Sequence, residues 1–214
     1  MIAIITGDII NSRKLKNQDA WITPLKKILQ TWGNTPGKWE IFRGDYFQLE
    51  LTDPMQALRA ALMIKALVKS IEPLDIAKRS SPVNVRMAIG IGGKDYNAKR
   101  ISESNGPAFV FSGEKFEKLK NEKITLAVKT EWEDFDKDIN LYLKLASVFM
   151  DKWSVSSGEL IKTVLENPGK TQKEIGQQLG IEQNSVSGRW HRANADEIIE
   201  MEQVFREKLK KHVS

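Results

Sequence analysis

The chain has 214 residues, of which 41% are hydrophobic and 29% charged, and its formal net charge is +5. It has no cysteine and only two histidines, which excludes disulfides, thiolate metal sites and a His-rich zinc site, so any metal would be held by oxygen ligands. No run approaches the roughly 18 apolar residues of a membrane span, and the N-terminus lacks the basic region and cleavage site of a signal peptide. We therefore expect a cytoplasmic protein of one or two domains that does not enter the membrane.

Hydrophobic spacing predicts the elements of the first two thirds of the chain. In chain order they are a strand over 2–6, a helix over 19–32, a hairpin over 39–51, a helix over 54–72, a strand over 83–91, a helix over 109–119, a strand over 124–128 and a helix over 138–153. The hairpin turns at Gly44-Asp45, and the following helix begins at Asp53-Pro54. We interpret the acidic run 131–138 as a solvated connector.

The order of these elements predicts the fold class. Strands and helices alternate as β-α-β-β-α-β-α-β-α, which favours an α+β domain over a doubly wound parallel sheet. We expect a ferredoxin-like, antiparallel or mixed sheet over residues 1–153. After Ser154 the strand patterns end, and residues 154–214 predict a small, all-α domain.

A helix-turn-helix pattern lies in this second domain. Thr171 and Glu174 have the spacing of a capping box, which predicts the start of a helix. Gly176 is small where two helices cross closely, and Gly180 makes the turn between them. Val186 and Trp190, four residues apart, place the second helix on the same core. The spacing resembles the helix-turn-helix family over some 24 residues, 171–194.

The second helix of this pattern is a candidate for reading DNA. It contains no acidic residue from Gln183 to Ala195, and its outward positions carry side chains that contact base edges and phosphates. The predicted DNA-binding residues are Lys173, Gln183, Asn184, Ser185, Ser187, Arg189, His191 and Arg192. The alternative is a helical hairpin used for dimerisation, and the neutral charge of residues 154–214 favours that alternative.

Two aspartates at chain turns form the candidate site of the first domain. Asp8 follows the first strand and Asp45 lies at the hairpin tip, so both are expected at one edge of the sheet. Two neighbouring carboxylates repel unless a cation neutralises them, which predicts Mg²⁺ or Mn²⁺. Residues 8–13 offer backbone N–H groups and a guanidinium for phosphate. The alternative is that Asp45 only serves the turn and Asp8 only caps the next segment.

The same segments resemble known proteins. GDI after the first strand, the GD turn and RMAIGIGG resemble the catalytic domain of class III nucleotidyl cyclases, which implies a ferredoxin-like core, metal-binding roles for Asp8 and Asp45, and a homodimer. More closely, GDIINSRK, GDYFQ, RMAIGIG and SNGPAFVFSG together resemble the SatD family over most of residues 1–120, and the helix-turn-helix at 171–194 belongs to the same resemblance. The candidate nucleotide-binding residues are Ile9, Asn11, Ser12, Arg13, Gly44, Arg100, Asn105 and Lys115.

One departure from the cyclase pattern bears on catalysis. Active cyclases carry an Asn and an Arg where this chain has Val110 and Glu114, and charge on a transferring phosphoryl group needs a cation. We therefore favour a DNA-binding regulator whose first domain senses a nucleotide with a divalent metal. The alternatives are an active Mg²⁺-dependent nucleotidyl cyclase or nucleotidyltransferase, and a non-catalytic interaction scaffold.

Overall fold

A computed structural model describes residues 1–15, 17–42, 44–72 and 80–213. The strands are β1 (Ile2–Ile10), β2 (Trp39–Phe42), β3 (Tyr46–Leu51), β4 (Asn84–Gly92) and β5 (Leu126–Lys129). The helices are α1 (Asp19–Leu29), α2 (Ala57–Lys69), α3 (Pro107–Glu122), α4 (Glu133–Met150), α5 (Val155–Glu166), α6 (Gln172–Leu179), α7 (Gln183–Ala193) and α8 (Ala195–Val213). The predicted α+β class is confirmed, because the element order is the predicted one.

The described strands form one mixed sheet with the order β2-β3-β1-β4-β5. β1 lies at the centre and pairs antiparallel with both β3 and β4, whereas β5 runs parallel to β4. The apolar, β-branched residues of β1 suit this central position, since a central strand is buried on both faces. The register sets Asp8 directly beside Tyr46 on one side and Arg86 on the other.

Helices cover both faces of the sheet. The α2 face holds the largest hydrophobic cluster, which includes Ile5 and Ile89, and the α3 face holds Ile4 and Ala108. Gly90 lets α3 approach closely, because a Cβ at this position would lie 2.2 Å from the Ala108 carbonyl oxygen. Odd and even positions of β1 therefore point to different helices, and Asp8 shares the α3 face with Ile4.

The start of α4 differs from the prediction. The acidic run was predicted to be a solvated connector, and this is wrong from Glu133 onward, where the helix already begins. Glu133, Asp134 and Asp136 occupy the first turn, where the helix dipole favours negative charge. Asp136 is buried and accepts hydrogen bonds from the hydroxyl (2.8 Å) and backbone N–H (3.1 Å) of Thr130.

The hairpin prediction is confirmed, since β2 and β3 pair antiparallel from Trp39–Leu49 to Phe42–Tyr46. Gly44 lies in the connection with a φ of 95°, a conformation that favours glycine. Arg43, which falls within the predicted hairpin over 39–51, lies outside the described residues.

The C-terminal helices pack on the sheet domain. A Cβ at Gly158 of α5 would lie 2.7 Å from the Ala66 carbonyl oxygen and from the Ser70 nitrogen, so the two backbones of α5 and α2 are in direct contact. The Trp153 indole N–H donates to the Ala193 carbonyl at the end of α7 (2.9 Å). One hydrophobic cluster therefore continues from the sheet into α5 and α8. Across the described residues, the helices are too short or too polar to cross a membrane.

Candidate functional site

A cleft of about 580 Å³, lined mostly by polar and charged residues, opens at the edge of the sheet where β1 ends. It is bounded by the end of β1 and the turn after it, the β2–β3 connection, the start of β4 and the C-terminal half of α3. Its lining residues are Asp8, Ile9, Ile10, Asn11, Ser12, Arg13, Lys14, Asp45, Arg86 and Lys120. The predicted convergence of Asp8 and Asp45 on one cleft is therefore observed.

Asp8 is engaged by Arg86 through two hydrogen bonds. The Arg86 Nε donates to Asp8 Oδ1 (3.1 Å) and its terminal nitrogen donates to Asp8 Oδ2 (2.6 Å). Both side chains are largely buried, with 24% of Asp8 and 18% of Arg86 exposed. The Arg86 guanidinium also lies 5.5 Å from the centroid of the Phe116 ring. This fork-like pair neutralises Asp8 without a metal.

Asp45 organises the turn that follows β1. Its Oδ2 accepts a hydrogen bond from the hydroxyl of Ser12 (2.8 Å), and its backbone carbonyl accepts from the Ile9 N–H (3.1 Å). Asn11 adopts the left-handed conformation, with φ 63°, which turns the chain into the short segment Ser12–Lys14. The hairpin tip and residues 9–14 are thereby held together as one wall of the cleft.

The structure brings together some predicted residues and separates others. Asp8, Ile9, Asn11, Ser12, Arg13 and Asp45 line the cleft, whereas Gly44, Arg100, Asn105 and Lys115 are not among its lining residues. The Arg100 guanidinium contacts Glu40, and the Lys115 ammonium contacts Glu122 (2.8 Å). The Asn105 side chain accepts from the Gly106 N–H (2.8 Å) at the opposite end of the sheet.

Sequence reasoning missed three cationic residues of the cleft, Lys14, Arg86 and Lys120. Arg86 lies 78 positions from Asp8, and only the β1–β4 register makes them neighbours. Lys120 reaches the site from α3, which continues to Glu122 beyond its predicted end at residue 119. Val110 and Glu114, which the resemblance to cyclases sets at the positions of their Asn and Arg, are both exposed on the first half of the same helix.

The cleft residues do not form a fitted metal centre in this arrangement. Both oxygens of Asp8 accept from Arg86, and one oxygen of Asp45 accepts from Ser12. Among the described residues there is no group of three or more His, Cys, Asp or Glu side chains that could hold a metal ion. Four cationic and two anionic side chains line the cleft, which leaves an excess of two positive charges. Mg²⁺ or Mn²⁺ binding stays a prediction.

In the C-terminal helices, the start of α6 has the predicted capping box. The Thr171 hydroxyl accepts from the Glu174 N–H (3.3 Å), and a Glu174 carboxylate oxygen accepts from the Thr171 N–H (2.8 Å). Side-chain and backbone hydrogen bonds from Thr171 lower the pKa of Glu174. These bonds satisfy N–H groups that a helix start leaves free, and they fix where α6 begins.

The turn between α6 and α7 is tight and depends on two glycines. Gly180 has φ 65°, in the left-handed region, and ends α6. The Ile181 N–H then donates to the Gly176 carbonyl (3.0 Å). A Cβ at Gly176 would lie 2.7 Å from the Ile181 carbonyl oxygen, so this position requires glycine for the close approach of the turn.

One side of α7 is buried and the other is exposed. Val186 and Ala193 are buried, and the Trp190 indole N–H donates to Asp196 (2.9 Å). The exposed predicted DNA-binding residues are Lys173, Gln183, Asn184, Ser185, Ser187, His191 and Arg192. Arg189 differs from them, because its guanidinium donates to Glu159 of α5 (2.7 Å).

Comparison with known proteins identifies the family of the chain. No curated protein and no solved structure matches it. A sequence model of the SatD family matches residues 1–204, which is nearly the whole chain and includes both the cleft and the exposed face of α7. The match covers the segments that carried the resemblance in sequence and the residues between them, and on this evidence the chain belongs to the SatD family.

Proposed function

We propose that this protein is a DNA-binding regulator in which α6 and α7 form a helix-turn-helix and α7 enters the major groove. The observation that carries the proposal is the exposed face of α7, which contains no acidic residue. The tight turn at Gly180 fixes the position of α7 relative to α6. A rigid helix with an uncharged or basic face is what a polyanionic groove requires.

The residue types on this face suit both kinds of DNA contact. Gln183, Asn184 and Ser187 offer amide and hydroxyl groups for base edges, and Asn and Gln can pair with adenine through two hydrogen bonds. Arg192 and Lys173 supply cations for the flanking phosphates from α7 and α6. Glu182, the residue before α7, marks the edge of this face.

Arg189 has a positioning role in this proposal. Its ion pair with Glu159 joins α7 to α5, and α5 packs on α2 of the sheet domain. The exposed face of α7 is thereby connected to the sheet through α5 and α2 by direct contacts. A ligand that shifts the sheet domain is expected to change the placement of α7 through these contacts.

We propose that the sheet domain is ferredoxin-like and related to nucleotidyl cyclases, and that its cleft binds the phosphates of a nucleotide. The strand order β4-β1-β3-β2 supports this relation. The positive excess of the cleft supports an anionic ligand. No hydrogen bond or ion pair joins the side chains of Arg13, Lys14 or Lys120 to another described residue, so these cations are available to phosphate.

The DNA-binding proposal is tested with a fluorescein-labelled duplex of mixed sequence. Fluorescence anisotropy should report binding that the double variant Lys173→Ala/Arg192→Ala weakens about tenfold or more, since contacts to charged groups contribute about 1.5–3 kcal/mol each. The control Lys26→Ala/Lys27→Ala removes the same charge from exposed positions of α1. Equal losses for both double variants would exclude α7 as the reading helix.

The nucleotide proposal is tested by calorimetric titration with ATP and with pyrophosphate, each in EDTA and in Mg²⁺. Binding should persist in EDTA, because the cations of the protein hold the phosphates. Lys120→Ala should weaken it, whereas Lys118→Ala, an exposed lysine on the same helix outside the cleft, should not. Binding only in Mg²⁺ would contradict this arrangement, and no binding under either condition would exclude the site.

A further inference from the structure

An apolar stripe runs along the solvent side of α4. Leu141, Leu145 and Val148 lie four and three residues apart, which places them on one helix face, and they are 53%, 60% and 62% exposed. They are three of the six large hydrophobic side chains that are exposed among the described residues. Exposed leucines scattered singly need no explanation, but a contiguous stripe marks an interaction surface.

A groove lies beside the stripe, between α4 and α8. It has a volume of about 420 Å³, and Tyr142, Phe149, Met201 and Val204 form its apolar walls together with Leu145 of the stripe. Its rim on α8 carries two carboxylates, Glu197 and Glu200. The stripe and the groove share Leu145, so the chain has an apolar ridge directly beside an apolar groove.

We propose that a second copy of this chain covers the surface, with its α4 antiparallel to the first. A twofold interface is isologous, so each contact between residue i of one copy and residue j of the other occurs a second time between j and i. In a register centred on Leu143, Leu141 of each copy lies level with Leu145 of the other. The same register sets Asp134, in the first turn of α4, level with Lys152 just after its last turn.

Charge complementarity is what points to a second copy rather than to an unrelated partner. Asp134 and Lys152 are both exposed. In the antiparallel register, Asp134 of each copy lies level with Lys152 of the other, which gives two pairs of opposite charge. It also sets Lys137 of the second copy level with Phe149, beside the acidic rim at Glu197. A parallel arrangement would instead bring like residues level with like.

The dimer surface is separate from the α7 face and from the cleft, and it adds a consequence for each. A twofold axis at α4 presents two α7 helices in symmetric orientation, which suits a DNA site with two related halves. The two clefts lie away from the interface, because none of the residues that line them belongs to α4 or α8.

The oligomeric state is measured by sedimentation equilibrium over a concentration series of the full chain, from about 1 to 100 µM. Wild-type protein should be a dimer, and Leu145→Asp should be monomeric at concentrations where wild type remains dimeric. The control Val110→Asp places the same charge at an exposed apolar position of α3 and should leave the dimer intact. A wild-type monomer throughout the series, or equal effects of the two variants, would overturn the proposal.

The register is tested by exchanging charges. Asp134→Lys and Lys152→Asp should each weaken the dimer at least tenfold, because like charges then face each other twice, and the double variant Asp134→Lys/Lys152→Asp should restore it. Circular dichroism verifies that each variant folds. A double variant as weak as the single ones would overturn the antiparallel arrangement.

Discussion

A buried ion pair fastens the last turn of α4 to the sheet domain, and its removal should cost much of the stability of the protein. Lys65 of α2 is fully buried, and its ammonium donates to Asp151, to Thr125 Oγ1 (2.9 Å) and to Asn84 Oδ1 (3.2 Å). Burial lowers the pKa of Lys65, although the carboxylate of Asp151 opposes the shift. Burial would raise the pKa of Asp151, but Lys65 and the surrounding hydrogen bonds outweigh it and lower that pKa.

The perturbation is Asp151→Asn, which leaves the Lys65 charge buried among neutral acceptors. Breaking a buried pair in this way costs about 3–5 kcal/mol, against a total stability of about 5–15 kcal/mol for a typical domain. Replacing both partners, in Lys65→Met/Asp151→Asn, should recover most of this loss because no unpaired charge remains. The control Asp138→Asn breaks a surface pair with Lys208, 47% and 33% exposed, and should cost little, because solvent screens an exposed ion pair.

The pH dependence of Asp151→Asn follows from Lys65. Its pKa in the folded variant lies below the unfolded value of about 10.4, so the unfolded chain binds more protons between the two values. The free energy of unfolding of the variant should therefore rise with pH over this range, and its deficit should shrink from pH 7 towards pH 9. Urea denaturation at several pH values measures these quantities. A loss no larger than that of Asp138→Asn, or a double variant less stable than Asp151→Asn, would refute the reasoning.

Three further predictions concern the two functional regions. Gly176→Ala should lower the free energy of unfolding by about 1–3 kcal/mol in thermal denaturation despite the helix propensity of alanine, because its Cβ would lie 2.7 Å from a backbone oxygen; unchanged stability would contradict the tight turn. Arg86→Ala should increase the affinity for Mn²⁺ about tenfold in calorimetry, since it frees both oxygens of Asp8; equal affinities would mean that the pair does not block a cation. Arg192→Ala should weaken DNA binding in anisotropy titrations more than Arg189→Ala, because only Arg192 is free of an ion pair to α5; the reverse order would contradict the assignment of Arg189.

Local patterns predicted the elements because they depend on neighbours in sequence. The β-branched run of β1, the alternation around Gly44 and the Thr171–Glu174 capping box each act within a few residues, and each formed the predicted element, although β1 continues to Ile10, four residues beyond its predicted end. The start of α4 was missed because acidic residues suggest exposure as readily as a helix N-terminus. Glu133 and Asp134 at that start carry the dipole signature that distinguishes the two.

The cleft was only partly predictable because its electrostatics depend on strand register. Asp8 and Asp45 line one cleft, as predicted, but Asp8 lies within β1 and not after its end, because the strand continues to Ile10. Arg86 reaches Asp8 only through the β1–β4 pairing, and no pattern within either segment reports that partner. The same limit applies to Gly158, whose contact with the backbone of α2 cannot be deduced from the helical pattern of α5. Contacts between residues far apart in sequence thus determine which charged residues meet in the cleft and how the C-terminal helices pack on the sheet.

The salt dependence of DNA binding tests the central claim most directly. The logarithm of the binding constant, plotted against the logarithm of salt concentration, should fall linearly with a slope of about −0.9 for each phosphate contact. Lys173→Ala/Arg192→Ala should reduce the magnitude of this slope by about 2, and Lys26→Ala/Lys27→Ala should leave it unchanged. A wild-type constant that does not vary with salt, or a slope unaffected by the α6–α7 variant, would contradict the assignment of α7 as a DNA-reading helix.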